Sequence, residues 1–494
     1  MKKLFIIICF LIAFAGNMFS QQFINNETID HIIQKKYDNW KGYDNYPNDS
    51  SRAEILNKID SIKLEDVVIF KIPEVILEMK NLKYLSITRN REYFVRYEWK
   101  ELKHSITNIS EIKRLKNLEY LSLSSCLLDT FPVEICELIN LKHLDLEENN
   151  LVFIPNEIGN LVNLNRLNLG FNWIIELPDE IGNLKILDSL TLYHNDIKEL
   201  PSAIGNITSL TFLNLSDNEI NELPKEIGNL TNLTFLNLSE NELSYLPVEI
   251  GNLTKLTKLG LSTNEINELP NEIGNLINLN ILSLGGNKIT ILPEEIGSLT
   301  ALTDLWLNEN ELIELPNEIG NLYHLTNLLL YRNHLTKLPN EIGNLVELTE
   351  LSLSYNELTE LPNALKNLIN LTILDLSNNK LSELTNEIFD ITSLKDLYLY
   401  NNQLTKISYE IGNLKNLTNL CLSSNLIIQL PSEIGELRNL ESLNLAFNYI
   451  TCLPKEISNC KNLTGLFLKE NNFSEEEKQK IISWFADSEC NIIW

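Results

Sequence analysis

From Leu141 onward the pattern LxxLxLxxNxL returns every 23 residues, and this regularity constrains the fold more than any other property of the chain. Its Asn positions are 149, 172, 195, 218, 241, 264, 287, 310, 333, 356, 379, 402, 425, 448 and 471, fifteen without an insertion. Counting backwards, Cys126 takes the Asn place after Leu118, Leu121 and Leu123. Asn90 does so after Leu82, Leu85 and Ile87, and Val67 after Ile59, Ile62 and Leu64, so three earlier units bring the total to about 18. A period of this length is the mark of stacked supersecondary units, each unable to bury its apolar side alone. In LxLxx the alternating leucines have period two, so Leu144 and Leu146 face one way while Asp145 and Glu147 face the other. Each unit therefore supplies one short strand to a parallel sheet, and the Asn sits where the chain leaves it. There its side-chain amide is expected to bond the backbone groups that a turn leaves unpaired.

The remainder of the unit reads as a short helical turn. In Pro155-Asn156-Glu157-Ile158-Gly159-Asn160-Leu161 the Pro is expected to preset the first turn, Glu157 to sit at its positive end, and Gly159 to permit a left-handed exit. The predicted fold is an α/β solenoid, a curved horseshoe with the parallel sheet on its concave face and short helices or turns on the convex side.

These residues carry a resemblance. The chain is similar to leucine-rich-repeat proteins of the 23-residue LPxEIGNLxxL class, over about residues 56–494. Such repeats occur in bacterial extracytoplasmic proteins, plant Ras-group repeat proteins and animal scaffolds such as Scribble. The resemblance implies a solenoid and a binding role, without naming a ligand.

Four segments follow. Residues 1–20 read as a secretory signal: Lys2 and Lys3 precede an apolar run, Leu4 to Ala15, which is shorter than the ~20 residues a spanning helix needs. Cleavage is expected after Ala15 or Ser20, which places the mature protein outside the cytoplasm, secreted or at the cell surface. Cys9 within Ile6-Ile7-Ile8-Cys9 is a weak site for a lipid anchor. Residues 21–55 are expected to form an N-terminal helical cap, with Ile29, Ile32, Ile33, Tyr37 and Trp40 on one stripe. The array occupies 56–473, with 13 extra residues inserted within 91–108. Ser474-Glu-Glu-Glu477 is a capping box that opens a C-terminal cap helix and edge strand over 474–494. Six cysteines outlast the leader, and their spacing matches neither a zinc site nor a disulfide cap framework. No further apolar stretch suggests a membrane span after signal cleavage.

With 67 acidic against 40 basic residues the net charge is -27, which repels phosphate backbones and argues against nucleic-acid partners. Enzymatic motifs are missing: there is no GxxxxGK[ST], HExxH, CxxC or GxSxG. His143, Asp145 and Glu147 with Glu148 are the best isolated metal candidate, but nothing else visibly converges on them, so neither metal nor cofactor is expected. The Glu column at 157, 180, 226 and onward reads as a helix-start residue, because calcium needs several oxygens converging within one loop.

What remains is a binding face. Around the two Leu of each LxL the outward residues are small and polar through Asn214, Ser216, Asn237, Ser239, Gly260, Ser262, Ser283 and Gly285. They then become large: Trp306, Leu329, Tyr331, Arg332, Tyr355, Tyr398 and Tyr400 form the expected partner-binding patch. Aromatic and Arg side chains dominate binding energy once desolvated. A smaller group, Phe171, Tyr193, Phe212 and Phe235, lies nearer the start. The insertion offers a secondary contact loop of Tyr93, Phe94, Tyr97 and Trp99 among Arg91, Arg96, Lys100 and Lys103. The function expected is a non-enzymatic exported protein that binds a protein partner on its concave face. The alternatives are a signalling scaffold inside the cell, as for the Ras-linked relatives, or a glycan binder that uses the same rings as stacking platforms.

Overall fold

The computed structural model describes residues 6–7, 56–65, 69, 71–88, 106–486 and 488–494. The expected N-terminal cap and the aromatic insertion loop lie outside these residues, as do Val67 and Asn90. The chain divides into two units, Met1–Glu242 and Leu243–Trp494.

In the first unit every strand is parallel to its neighbour. Ser61–Glu65 pairs with Tyr84–Thr88, which pairs with Tyr120–Ser122, and His143–Asp145, Arg166–Asn168, Ser189–Thr191, Phe212–Asn214 and Phe235–Asn237 follow. Tyr120 lies opposite His143, 23 residues on, whereas Tyr84 lies opposite Tyr120, 36 residues on. The difference of 13 is the insertion, and the two strands meet as though it were not there. A two-residue strand, Ile6–Ile7, runs parallel to Ser61–Glu65.

The second unit repeats the plan. Its strands Lys258–Gly260, Ile281–Ser283, Asp304–Trp306, Asn327–Leu329, Glu350–Ser352, Ile373–Asp375, Asp396–Tyr398, Asn419–Cys421, Ser442–Asn444 and Gly465–Phe467 are parallel and in strict 23-residue register. Asn491–Ile493 adds a last parallel strand on Gly465–Phe467. Between these strands the helix Glu475–Trp484 is opened by Ser474, whose Oγ accepts from the Glu477 amide at 3.1 Å. Ile481 of that helix is buried, and Phe473 meets the Trp494 ring edge-on at 5.7 Å.

Within a coil the leucines turn inward: Leu325, Leu328 and Leu330 are fully buried, and so is Ile319 of the adjoining turn. Each unit has the solenoid fold expected from the sequence, with most of its outer pieces as 3-10 helices of five residues, such as Asn156–Asn160 and Asn317–Asn321. Two expectations about those pieces need correction. Pro155 stands before the helix rather than in its first turn, with extended backbone (φ -73°, ψ 151°), and its carbonyl accepts from the Ile158 amide at 3.0 Å. Gly159 makes no left-handed exit, since Gly286 is the positive-φ glycine among the described residues. Instead a Cβ on Gly159 would stand 2.8 Å from the Glu180 carbonyl oxygen of the next coil. The glycine is there because neighbouring coils touch backbone to backbone.

The Asn ladder has the expected role. Asn149 accepts from the amides of Cys126 and Leu128 at 3.1 and 3.0 Å, and its amide group donates to the carbonyls of Leu123 and Leu146, each at 2.9 Å. Cys126, in the Asn place one coil earlier, donates its thiol to the Ile87 carbonyl at 3.3 Å. Cys126, Cys136, Cys421, Cys452, Cys460 and Cys490 form no disulfide with one another. Cys126, Cys136 and Cys460 are buried, and burial pushes the Cys136 thiol up to about 12.

Candidate binding face

The residues between and after the strand leucines form rows across each unit. In the second unit, pairing places Trp306 beside Leu329, Leu329 beside Ser352, Ser352 beside Asp375, and Asp375 beside Tyr398. Tyr331 and Tyr400 belong to the next row, two residues further along their coils. Adjacent side chains in a row are separated by the strand spacing, about 4.8 Å.

None of the expected patch residues is in the core. Trp306 is 38% exposed and Tyr355 48%, Arg332 is exposed, and Leu329, Tyr331, Tyr398 and Tyr400 are half-buried. Apolar surface of this kind on a sheet face has no interior to serve. Arg332 and Tyr355 do not lie on the strands, as the sequence reading had them. Each is the left-handed residue just beyond, with φ of 55° and 53°, so their side chains rim the face at the turn. The Arg332 guanidinium lies 5.5 Å from the Tyr355 ring centroid and 3.4 Å from Glu309. Burial, and after it the carboxylates of Asp396 and Asp375, pushes the Tyr398 phenol up from its ordinary value, so it stays a neutral donor near pH 7.

The face of the first unit has a different chemistry. Tyr84 stacks on Tyr120 at 4.2 Å, and Tyr120 on His143 at 5.4 Å. Sequence reasoning aligned the leucines of these two coils and counted the insertion, but did not read the outward residues ahead of Leu85 and Leu121, where Tyr84 and Tyr120 stand. Phe212 and Phe235 stack at 4.4 Å, and Phe171 meets Tyr193 edge-on at 4.9 Å. The carboxylates of the former metal candidate turn toward neutral donors instead of one another. Asp145 accepts from Ser122 at 2.8 Å and Asn168 at 3.1 Å, while Glu147 accepts from Asn168 at 3.1 Å and from the Tyr193 hydroxyl. Burial raises the Asp145 carboxyl pKa, and burial, with Arg166 second, lowers that of His143. Among the described residues no group of three or more His, Cys, Asp and Glu is placed to hold a metal ion. The secondary contact loop, Tyr93, Phe94, Tyr97 and Trp99, lies outside the described residues. What the two faces offer is non-covalent: rings, hydroxyls and carboxylates presented on rigid strands.

Comparison with known proteins agrees with this geometry. The family model described as leucine-rich repeat region matches residues 155–217, 203–263, 248–332 and 313–426, which together run unbroken across more than half of the chain. A second model, leucine rich repeat, matches 117–138, 140–161 and 439–460. A leucine-rich-repeat protein of Leptospira interrogans is 33% identical over 92% of this chain and 100% of its own, with a TM-score of 0.66. The plant peptide hormone receptor RGFR1, solved in complex with RGF2, is 30% identical over 87% of this chain and 81% of its own, with a TM-score of 0.61. A TDR receptor is 27% identical over 86% of this chain and 82% of its own, with a TM-score of 0.68. No curated protein sequence matches. No helix among the described residues is long and apolar enough to cross a membrane. With repeat, register and relatives in agreement, the chain belongs to the leucine-rich-repeat family.

Proposed function

We propose that this is an exported, non-enzymatic member of the 23-residue LPxEIGNLxxL class that binds a protein partner on its concave strand face. Trp306, Leu329, Tyr331, Tyr398 and Tyr400 serve as anchors, with Arg332 and Tyr355 on the rim. The observation that carries the reading is the concentration of large rings and apolar side chains, still part-exposed, on or just beyond strands in strict register. Preorganised anchors lose little entropy on association, so contact area on them converts efficiently into affinity. The plant receptor solved with RGF2 is a relative that holds its ligand through a protein of similar architecture. Export rests on the leader: Lys2, Lys3 and the apolar run to Ala15. The aromatic insertion, Tyr93 to Trp99, supplies a second contact.

The test is panning a random-peptide display library on the chain without its leader. The wild type is expected to enrich binding sequences, and the triple variant Trp306→Ala, Tyr331→Ala, Tyr400→Ala to retain none of them while keeping its circular dichroism spectrum and melting temperature. Undiminished capture by the triple variant, or enrichment on a glycan array instead, would overturn the assignment. Terminal sequencing of chain recovered from the culture medium should begin after Ala15 or Ser20; an intact Met1 would defeat the export reading.

A further inference from the structure

Within the second unit the patch is interrupted in its two middle rows, with Tyr355 rimming the gap at the turn of its coil. Leu329 and Tyr331 stand on one coil, Tyr398 and Tyr400 three coils further on. Between them the same two rows hold Ser352, Ser354, Asp375 and Ser377. Ser354 and Ser377 are 7% and 0% exposed, so they rise little above the sheet. Three strand steps make about 14 Å between the two walls. The outcome is a trench that runs along the strand direction, with aromatic and aliphatic sides, a central floor of hydroxyls and one carboxylate, Glu350 and Ile373 at the strand-start end and Tyr355 at the turn end. It admits a single peptide segment.

The charge of this region is one-sided. Across the five coils from Asp304 to Asn401, the face carries Asp304, Glu309, Glu350, Asp375 and Asp396 against one cation, Arg332, with Lys395 flanking the rows at the start of its strand. Arg332 is already engaged by Glu309 at 3.4 Å. The other four carboxylates have no cationic partner among the described residues. Asp304 accepts from Asn327 at 2.6 Å and Thr303 at 2.7 Å, Asp375 from Ser377, and Asp396 from Asn419. Neutral donors orient a carboxylate without cancelling its charge, so the field over the trench stays negative. Tyrosine and tryptophan faces attract cations through their quadrupoles, the same sign of preference as the acids.

Resting on the binding-face reading above, we infer that the trench between the Leu329/Tyr331 and Tyr398/Tyr400 walls selects an extended peptide segment bearing Lys or Arg. The segment lies along the strands, its apolar side chains against the walls and its cations over Glu350, Asp375 and Asp396. A second copy of this chain is a poor occupant, because each copy carries -27. An acidic segment meets the same repulsion.

The experiment measures fluorescence anisotropy of labelled decapeptides alternating Arg with Leu, Ser with Leu, or Glu with Leu, titrated with the full chain without its leader. The Arg-Leu peptide should bind about tenfold more tightly than the Ser-Leu peptide, and the Glu-Leu peptide not at all. The pair Glu350→Gln and Asp375→Asn should remove most of that preference. Ser352→Trp, which fills the floor with a ring that the same row already carries at Trp306, should abolish binding. Glu226→Gln with Glu249→Gln, on outer turns away from the trench coils, is the control for diffuse charge and should change nothing. If the control weakens Arg-Leu binding as much as the trench pair does, or if the trench pair leaves the preference intact, charge selection by the trench is wrong. Loss of all peptides in Ser352→Trp with no charge preference would sink this inference alone. Full binding in both Ser352→Trp and the triple alanine variant would sink the binding face as well.

Discussion

Asn218 accepts from the Ile197 amide at 3.1 Å and donates to the carbonyls of Leu192 and Leu215, each at 3.0 Å, while 9% exposed. One side chain thus satisfies backbone groups of its own coil and of the coil before it. The same residue supports a second feature. The position just before each ladder Asn is left-handed, occupied by Asp217, Glu240, Thr263, Glu309 and others at φ near 55°. That conformation costs a non-Gly residue of order 1 kcal/mol and persists where surrounding bonds over-determine it. Asn218→Ala should therefore cost about 1–3 kcal/mol, because it orphans buried donors and acceptors. Urea unfolding of the variant measures it, and a loss below about 0.5 kcal/mol would show that water replaces the amide. The ladder was legible from the sequence, since a polar residue that recurs at the end of a short strand has few other duties. The left-handed neighbour was not legible, because Glu, His, Tyr and Arg at that place give no sign of positive φ.

At the scale of the coil, the period translated directly into register because each coil meets only the next one in the chain. Leu305, Leu328 and Leu351 lie opposite one another as spacing alone requires. The outward rows of the face followed from the same alternation, and so did Trp306, Leu329, Tyr331, Tyr398 and Tyr400. Arg332 and Tyr355 were misplaced, because the strand ends sooner than the alternation of residue types suggests. The glycine was misread for a different reason: its constraint comes from the neighbouring coil, which a single repeat does not contain. At Gly320 a Cβ would stand 2.5 Å from the Glu341 carbonyl oxygen and 2.7 Å from the Glu341 Cβ. Backbone cannot swing aside as the end of a flexible side chain would. Gly320→Ala is therefore expected to destabilise the second unit by about 1–3 kcal/mol, the range for overpacking, although alanine is the better helix former. Equilibrium denaturation decides between the two effects: a variant as stable as the wild type would mean that the coils separate at no cost. Phe389 is buried in the corresponding place of its coil, so the chain accommodates a large side chain there where the surrounding sequence also departs from the pattern, with Thr385 in the Pro place.

Over the whole molecule, stacking leaves each terminal coil with one uncovered side, and what covers it decides whether the chain stays dispersed. At the C-terminal end the helix Glu475–Trp484 and the strand Asn491–Ile493 bring Ile481, Phe485 and Trp494 against the last full coil. Burying two such apolar side chains is worth about 1.5–3 kcal/mol each. Removing residues 474–494 should thus fray the last coils while leaving distant ones intact, because stability in a stack passes only between neighbours. Hydrogen exchange should quicken around Leu463, Leu466 and Leu468 and remain unchanged in the first unit. The net charge of -27 sets the second half of the outcome. At low salt, mutual repulsion keeps truncated copies apart despite the newly exposed apolar end. At 0.1 M salt the screening length falls to about 10 Å, and the exposed ends can meet. Size-exclusion chromatography of the truncated chain should accordingly show monomer at low salt and self-association as salt rises, with the intact chain monomeric throughout. A truncated chain that elutes as monomer at every ionic strength, with exchange rates unaltered near Leu466, would show that the last coil closes itself and that the terminal helix and strand serve some other purpose.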